Sequence, residues 1–187
     1  MNHFDQYGYI VLHDFFSEDE LANMYDESGT TNPEIIDAAT KRLEGLLDTK
    51  LLTNHQKRQA YTKDDTLEYH VDGAACEYAL TFTVSQTGDH WPLVIRAVKG
   101  DKVVETKSGT AVLYCANMLP HWRPENNTDN QVQGYMYWND LNTELGSFMQ
   151  HFELEQRLNI TSFMNLKQKE NYQYGTTAYE RYERPHT

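Results

Sequence analysis

From Tyr78 the chain reads YALTFTV, which sets Leu80, Phe82 and Val84 on one face and Ala79, Thr81 and Thr83 on the other. Strict alternation belongs to a strand with two unlike faces and excludes a helix, whose apolar positions recur every three or four residues. The runs WPLVIRAV, KVVETK, GTAVLYC and VQGYMYW follow at short, fairly even intervals, separated by turns rich in Gly, Asn, Asp and Pro. That cadence predicts an antiparallel barrel or jelly roll. The chain is therefore expected to be mainly β with flanking helices.

Ahead of the strands, YIVLHDFF (Tyr9 to Phe16) predicts a short strand. In SEDELANMYDE, Ser17 and Glu20 have capping-box spacing, and Leu21, Met24 and Tyr25 recur at helical intervals, so a helix should begin there. A second helix is expected from Pro33 to about Leu52, with proline in its first turn and a stripe of Ile36, Ala39, Leu43, Leu46 and Leu47. The period changes to two from about Gln59. After Trp138 the chain turns polar, and SFMQHFELEQRLNITSFMNLKQKE predicts one or two helices before a tyrosine-rich tail from Asn171. A chain of 187 residues without internal repeats fits one domain. Its expected parts are an N-terminal strand and helices over 1–58, a barrel core over 59–140, and a helical segment and tail over 141–187.

A formal net charge of −12 argues against nucleic acid as a partner, because phosphate-tracking surfaces concentrate Lys and Arg. Cys76 and Cys115 lack CxxC spacing and suggest neither a disulfide framework nor a cysteine zinc site. No run of about twenty apolar residues is present, and MNHFDQYGYIVLHDFF has no basic region ahead of an apolar core. A soluble, cytoplasmic protein without a membrane partner is the expectation, with its oligomeric state open.

Just before the alternating run, YHVD places His70 and Asp72 two positions apart, and in extended backbone such side chains project to the same face. The pair is half of a metal clamp. On its spacing alone it fits a surface loop with a local hydrogen bond equally well, so a third donor is required. LPHWRPE supplies His121, 49 positions beyond Asp72, enough chain for the intervening strands to return to the same end. Two imidazoles and one carboxylate on one face of a metal leave its other positions open, as in non-haem Fe(II) oxygenases. The donor set also admits zinc. His90, in the turn TGDHWP, is the rival ligand but is expected at the far end of its hairpin. His3, His13, His55, His151 and His186 lack a carboxylate at strand spacing with a later partner and are read as exposed or packed.

On these residues the span from about Tyr61 to Trp138 resembles the double-stranded β-helix core, a cupin-like jelly roll, of the Fe(II)- and 2-oxoglutarate-dependent dioxygenases. The entry GYIVLHDFFSEDEL is similar to the start of phytanoyl-CoA-hydroxylase-like and prolyl-hydroxylase-like members. GTAVLYCANMLPHWRPE resembles a subgroup with an HWR signature, although Thr110 stands where that subgroup tends to have Asp. The resemblance implies Fe(II) held by His70, Asp72 and His121, with 2-oxoglutarate as cosubstrate. Hydroxylation of a substrate would be coupled to release of succinate and carbon dioxide. It further implies that Tyr61, in AYTKDDTLEYHVD, touches the cosubstrate.

The family pattern is broken at one point. Members usually hold the distal carboxylate of 2-oxoglutarate with an Arg or Lys about ten residues after the second histidine, but DNQVQGYMYW contains no base. Arg123 shares an extended face with His121, and a guanidinium grips a carboxylate through two parallel hydrogen bonds; its bland alternative is a salt bridge to Glu125 or Asp72. Arg96, in LVIRAV, is the second candidate, and Tyr114 offers a further phenol. The substrate, a small molecule or a protein side chain, is not legible. The aromatic residues Tyr69, Tyr78, Trp91, Trp122, Tyr135, Tyr137 and Trp138 serve a barrel core as readily as a pocket. The alternative to an oxygenase is a non-catalytic jelly-roll binding module, or a cupin-like metal protein that does not use 2-oxoglutarate.

Overall fold

In a computed structural model, which describes residues 4, 7–97 and 99–160, nine strands form two antiparallel sheets. They are β1 (Tyr9–Leu12), β2 (Leu51–Thr62), β3 (Leu67–His70), β4 (Tyr78–Thr87), β5 (Leu93–Ala97), β6 (Gly100–Val104), β7 (Ala111–Cys115), β8 (His121–Arg123) and β9 (Asn130–Asp140). One sheet has the order β1-β7-β4-β9-β2 and the other β3-β8-β5-β6. Helices α1 (Glu18–Ala22) and α2 (Pro33–Leu47) lie between β1 and β2, and α3 (Glu144–Met149) follows β9. The backbone is helical again over 154–160.

The two faces of β4 go where their alternation directs them. Ala79 joins Leu93, Ile95, Val104, Val112, Tyr114, Tyr135 and Tyr137 in a buried layer between the sheets. Leu80 and Phe82, with Leu113, Met136 and Trp138, pack instead against Ile35, Ala39 and Leu43 of α2 and against Phe16 and Met24. Fully covering side chains of this size contributes about 1.5–3 kcal/mol each.

Ser17 and Glu20 form the expected capping box on α1, and Asn32 caps α2 with Pro33 in its first turn. The end of α2 differs from expectation. The helix stops at Leu47 rather than near Leu52, because Asp48 adopts a left-handed conformation (φ 52°) and Leu51 already opens a strand. β2 therefore starts about two turns of chain earlier than the change of period suggested. The remaining helix and the tail expected beyond residue 160 lie outside the described residues.

β2 and β3 are edge strands of their respective sheets. They are consecutive in the chain, so the same stretch borders both layers along one side. The metal-ligand candidates lie on that side.

Candidate metal centre

His70 and His121 are Cα partners across β3 and β8, and their ring centroids are 4.3 Å apart. Asp72 follows in a loop pinned by its own N–H, which donates to the Ala116 carbonyl at 2.8 Å. Its Oδ1 stands 3.4 Å from His70 Nε2 and 3.9 Å from His121 Nε2. One ligand atom from each of the three residues lies within 4.8 Å of the other two. In both rings Nδ1 faces a backbone carbonyl, that of Glu68 at 2.6 Å and that of Leu119 at 3.0 Å. A carbonyl accepts only, so Nδ1 carries a proton in both rings and each Nε2 is the atom turned toward the carboxylate. This orientation by outer groups is what a ligating histidine needs.

The electrostatics are asymmetric. Burial pushes His121 down to about 4, against the opposing pull of Asp72. For His70 burial also pulls downward, but the bonds to Asp72 and the Glu68 carbonyl outweigh it and raise the pKa. The Asp72 carboxylate thus favours a proton on His70 in the metal-free cluster, and a divalent cation bound there would compete with that proton. Asp72 Oδ2 is buried without a hydrogen-bond partner among the described residues, a costly state for a carboxylate oxygen. The His121 side chain is 2 % exposed and that of His70 35 %, so the cluster is closed on one side and open on the other.

Two residues beyond His121 on the same strand face, Arg123 is 1 % exposed. Its guanidinium lies over the Trp91 ring at 5.1 Å, and donates to the Trp91 carbonyl and, at 3.3 Å, to Gln133 Oε1. Gln133 is fixed in turn by the Thr83 hydroxyl at 2.8 Å. Neither Glu125 nor Asp72 pairs with Arg123, no carboxylate among the described residues lies within ion-pair distance, and its Nε is buried without a partner. Buried charges are ordinarily paired. Arg123 is thus a buried cation without a counter-charge among the described residues.

The remaining candidates divide. Tyr61 has its hydroxyl 3.1 Å from that of Tyr135 and its ring 4.7 Å from Trp91, at the Arg123 end. Tyr114, 2 % exposed, sets its ring edge on His121 at 4.8 Å. Burial, then the charge of Asp72, holds its phenol well above the usual range. Arg96 is not brought to the site. It alternates with the inward Ile95, its guanidinium is paired with Asp101 at 2.5 and 3.1 Å, and it lies over Tyr69 and Trp122 on the outer face of the four-stranded sheet. His90 is likewise outside the cluster, bonded to Gln86 at 2.6 Å. Trp138 belongs to the layer under α2, where its indole N–H donates to the Thr40 hydroxyl at 3.0 Å.

One histidine read from the sequence only as exposed or packed lies within the field of Asp72. His55 of β2 stacks on Tyr137 with centroids 4.3 Å apart and 22° between planes, and its Nδ1 is buried without a partner among the described residues. His55 lies between the expected end of the helix near Leu52 and the change of period near Gln59, and the reading of it as exposed or packed gave no sign of its nearness to the cluster.

Neither a protein-family model nor a curated protein sequence matches the chain. Solved structures do. A viral collagen prolyl hydroxylase of Paramecium Bursaria Chlorella virus-1, in its 2-oxoglutarate complex, is 13 % identical over 73 % of this chain and 98 % of its own, with a TM-score of 0.59. An oxidoreductase of the 2-oxoglutarate-Fe(II) oxygenase family from Burkholderia pseudomallei is 13 % identical over 71 % and 84 %, at 0.58. HygX from Streptomyces hygroscopicus, with nickel and 2-oxoglutarate bound, is 12 % identical over 73 % and 83 %, at 0.55. The chain thus has the fold found in 2-oxoglutarate-Fe(II) oxygenases, here in a mainly antiparallel form with few helices.

Proposed function

We propose that the protein is an Fe(II)- and 2-oxoglutarate-dependent oxygenase that hydroxylates a small metabolite or an amino-acid side chain, releasing succinate and carbon dioxide. The two sheets are read as a double-stranded β-helix in a single dioxygenase-like domain. The observation that carries the reading is the convergence of two correctly oriented Nε2 atoms on a carboxylate whose second oxygen has no partner among the described residues.

The donor set fits the metal: two neutral imidazoles and one carboxylate hold a ferrous ion on one face and leave positions for other ligands. His70, Asp72 and His121 would hold the ion, and the Glu68 and Leu119 carbonyls keep both rings in the ligating tautomer. Ferrous iron with a chelating 2-oxo acid supplies dioxygen activation and oxidation of a C–H bond. Arg123 would bind the distal carboxylate of the cosubstrate, with the Tyr61 phenol beside it, from the position that Gln133 and Trp91 enforce. Tyr114, with its ring edge on His121, would close the wall there.

Anaerobic titration with Fe(II) and 2-oxoglutarate tests the reading. A weak visible charge-transfer band, followed by succinate on admission of oxygen, is expected. No band together with no thermal shift from 2-oxoglutarate would replace the oxygenase with a binding module or a cupin-like metal protein.

A further inference from the structure

The register of β2 against β9 jumps from Thr53–Trp138 to Gln56–Met136, so Asn54 and His55 both stand opposite Tyr137. Such a bulge re-aims side chains, and bulges concentrate beside active sites. Asn54 ties the bulge down: its amide donates at 2.8 Å to both the Ala75 carbonyl and Asn139 Oδ1, and its oxygen accepts from Arg157 at 2.6 Å. His55 is left to stack on Tyr137, an inner-layer residue only 8 % exposed. Burial dominates the ionisation of both rings, and the Asp72 carboxylate is the next strongest influence on each, which sets the pair within the field of the metal cluster. Among the described residues, His55 Nδ1 is buried without a hydrogen-bond partner. A polar atom in such a place calls for an external one.

Lys57 adds the charge. It is the Cα partner of the inward-facing Tyr135, so it shares the inner face with His55. It is exposed and makes no ion pair among the described residues. The strip lies on the edge strand bordering the side where His70 opens to solvent. Arg123 and Tyr61 stand at the other end of the same inner layer, with Trp91.

We propose that His55, Lys57 and Tyr137 form a subsite for a carboxylate of the substrate, apart from the Arg123 end assigned to the cosubstrate; this rests on the oxygenase reading of the site. One ammonium and two uncharged polar groups match a singly charged anion. A phosphate would bring a second negative charge toward Asp72. The substrate is then a small carboxylic acid, such as a free or acylated amino acid, rather than an internal residue of a protein chain.

Calorimetric titration of the Ni(II)- and 2-oxoglutarate-loaded protein with a panel of N-acetylated amino acids, each offered as free acid and as primary amide, tests this without turnover. At least one acid should bind, with its amide about tenfold weaker or more. Lys57→Met should erase most of that preference, and His55→Phe, which keeps a ring on Tyr137, should weaken the acid about tenfold. If the wild-type protein takes up metal and cosubstrate but binds acid and amide equally, or binds no acid, the subsite is wrong and the oxygenase reading stands. If it takes up neither metal nor cosubstrate, both fall together.

Discussion

Arg123 is the residue on which the cosubstrate assignment turns, because its charge is buried with no counter-charge among the described residues. Hydrogen bonds to charged groups contribute about 1.5–3 kcal/mol, so Arg123→Met should weaken 2-oxoglutarate binding by roughly ten- to hundredfold in calorimetry. Arg123→Lys should restore little, since an ammonium cannot reproduce the planar fork that Trp91 and Gln133 hold in place. The same unpaired charge predicts that the ligand stabilises the fold: at a hundred times its Kd, 2-oxoglutarate should add about 2.7 kcal/mol. A melting temperature indifferent to 2-oxoglutarate in the wild type would remove Arg123 from this role. For the metal, Asp72→Ala deletes the only charged ligand. It should lower Ni(II) affinity by more than the ~10–100-fold that loss of an outer group costs; unchanged affinity would displace Asp72 from the centre.

At the scale of elements, the bulge in β2 links stability to the site. Asn54 is 4 % exposed and serves Ala75, Asn139 and Arg157 at once. Asn54→Ala leaves those groups short of partners at about 1–3 kcal/mol for each that stays unpaired. It also loosens the Ala74–Cys76 turn that follows Asp72. A fall in stability of about 2–4 kcal/mol together with weaker metal binding is expected. Leu43→Ala, under the opposite face of the sheet, should cost about 2–5 kcal/mol and leave metal affinity intact; equal effects of the two on the metal would deny β2 its special place. This strand was also the element least legible in the sequence. An edge strand buries few of its residues, so LLTNHQKRQAYT carries little apolar alternation, and the bulge shifts the phase of what alternation there is. β4, covered on both faces, announced itself. The His-x-Asp pair and His121 were visible because strand geometry fixes two-residue spacing, and Arg123 for the same reason. Arg96 was misplaced because spacing does not say which face of β5 turns inward.

In the whole molecule, protons and metal compete for the same folded state. The folded pKa of His121 lies near 4 against an ordinary 6.5, so the unfolded chain binds its proton first as the pH falls. Stability from this group is complete above 6.5 and lost on the way down to about 4, some 3 kcal/mol at about 1.36 kcal/mol per pKa unit. His55, lowered by burial, acts in the same direction. Glu77, raised by burial, opposes them as the pH falls through its elevated value. The raised His70 contributes fully below 6.5 and is constant over that range. Because the metal-free fold keeps a proton on His70 and none on His121, binding one cation between pH 6.5 and about 5 must displace one proton. Ni(II) affinity should therefore fall about tenfold per pH unit across that range. The heat of binding should also vary with the ionisation enthalpy of the buffer by one proton's worth. An affinity independent of pH there would mean that His70 gives up no proton on binding, against its 3.4 Å approach to the Asp72 carboxylate.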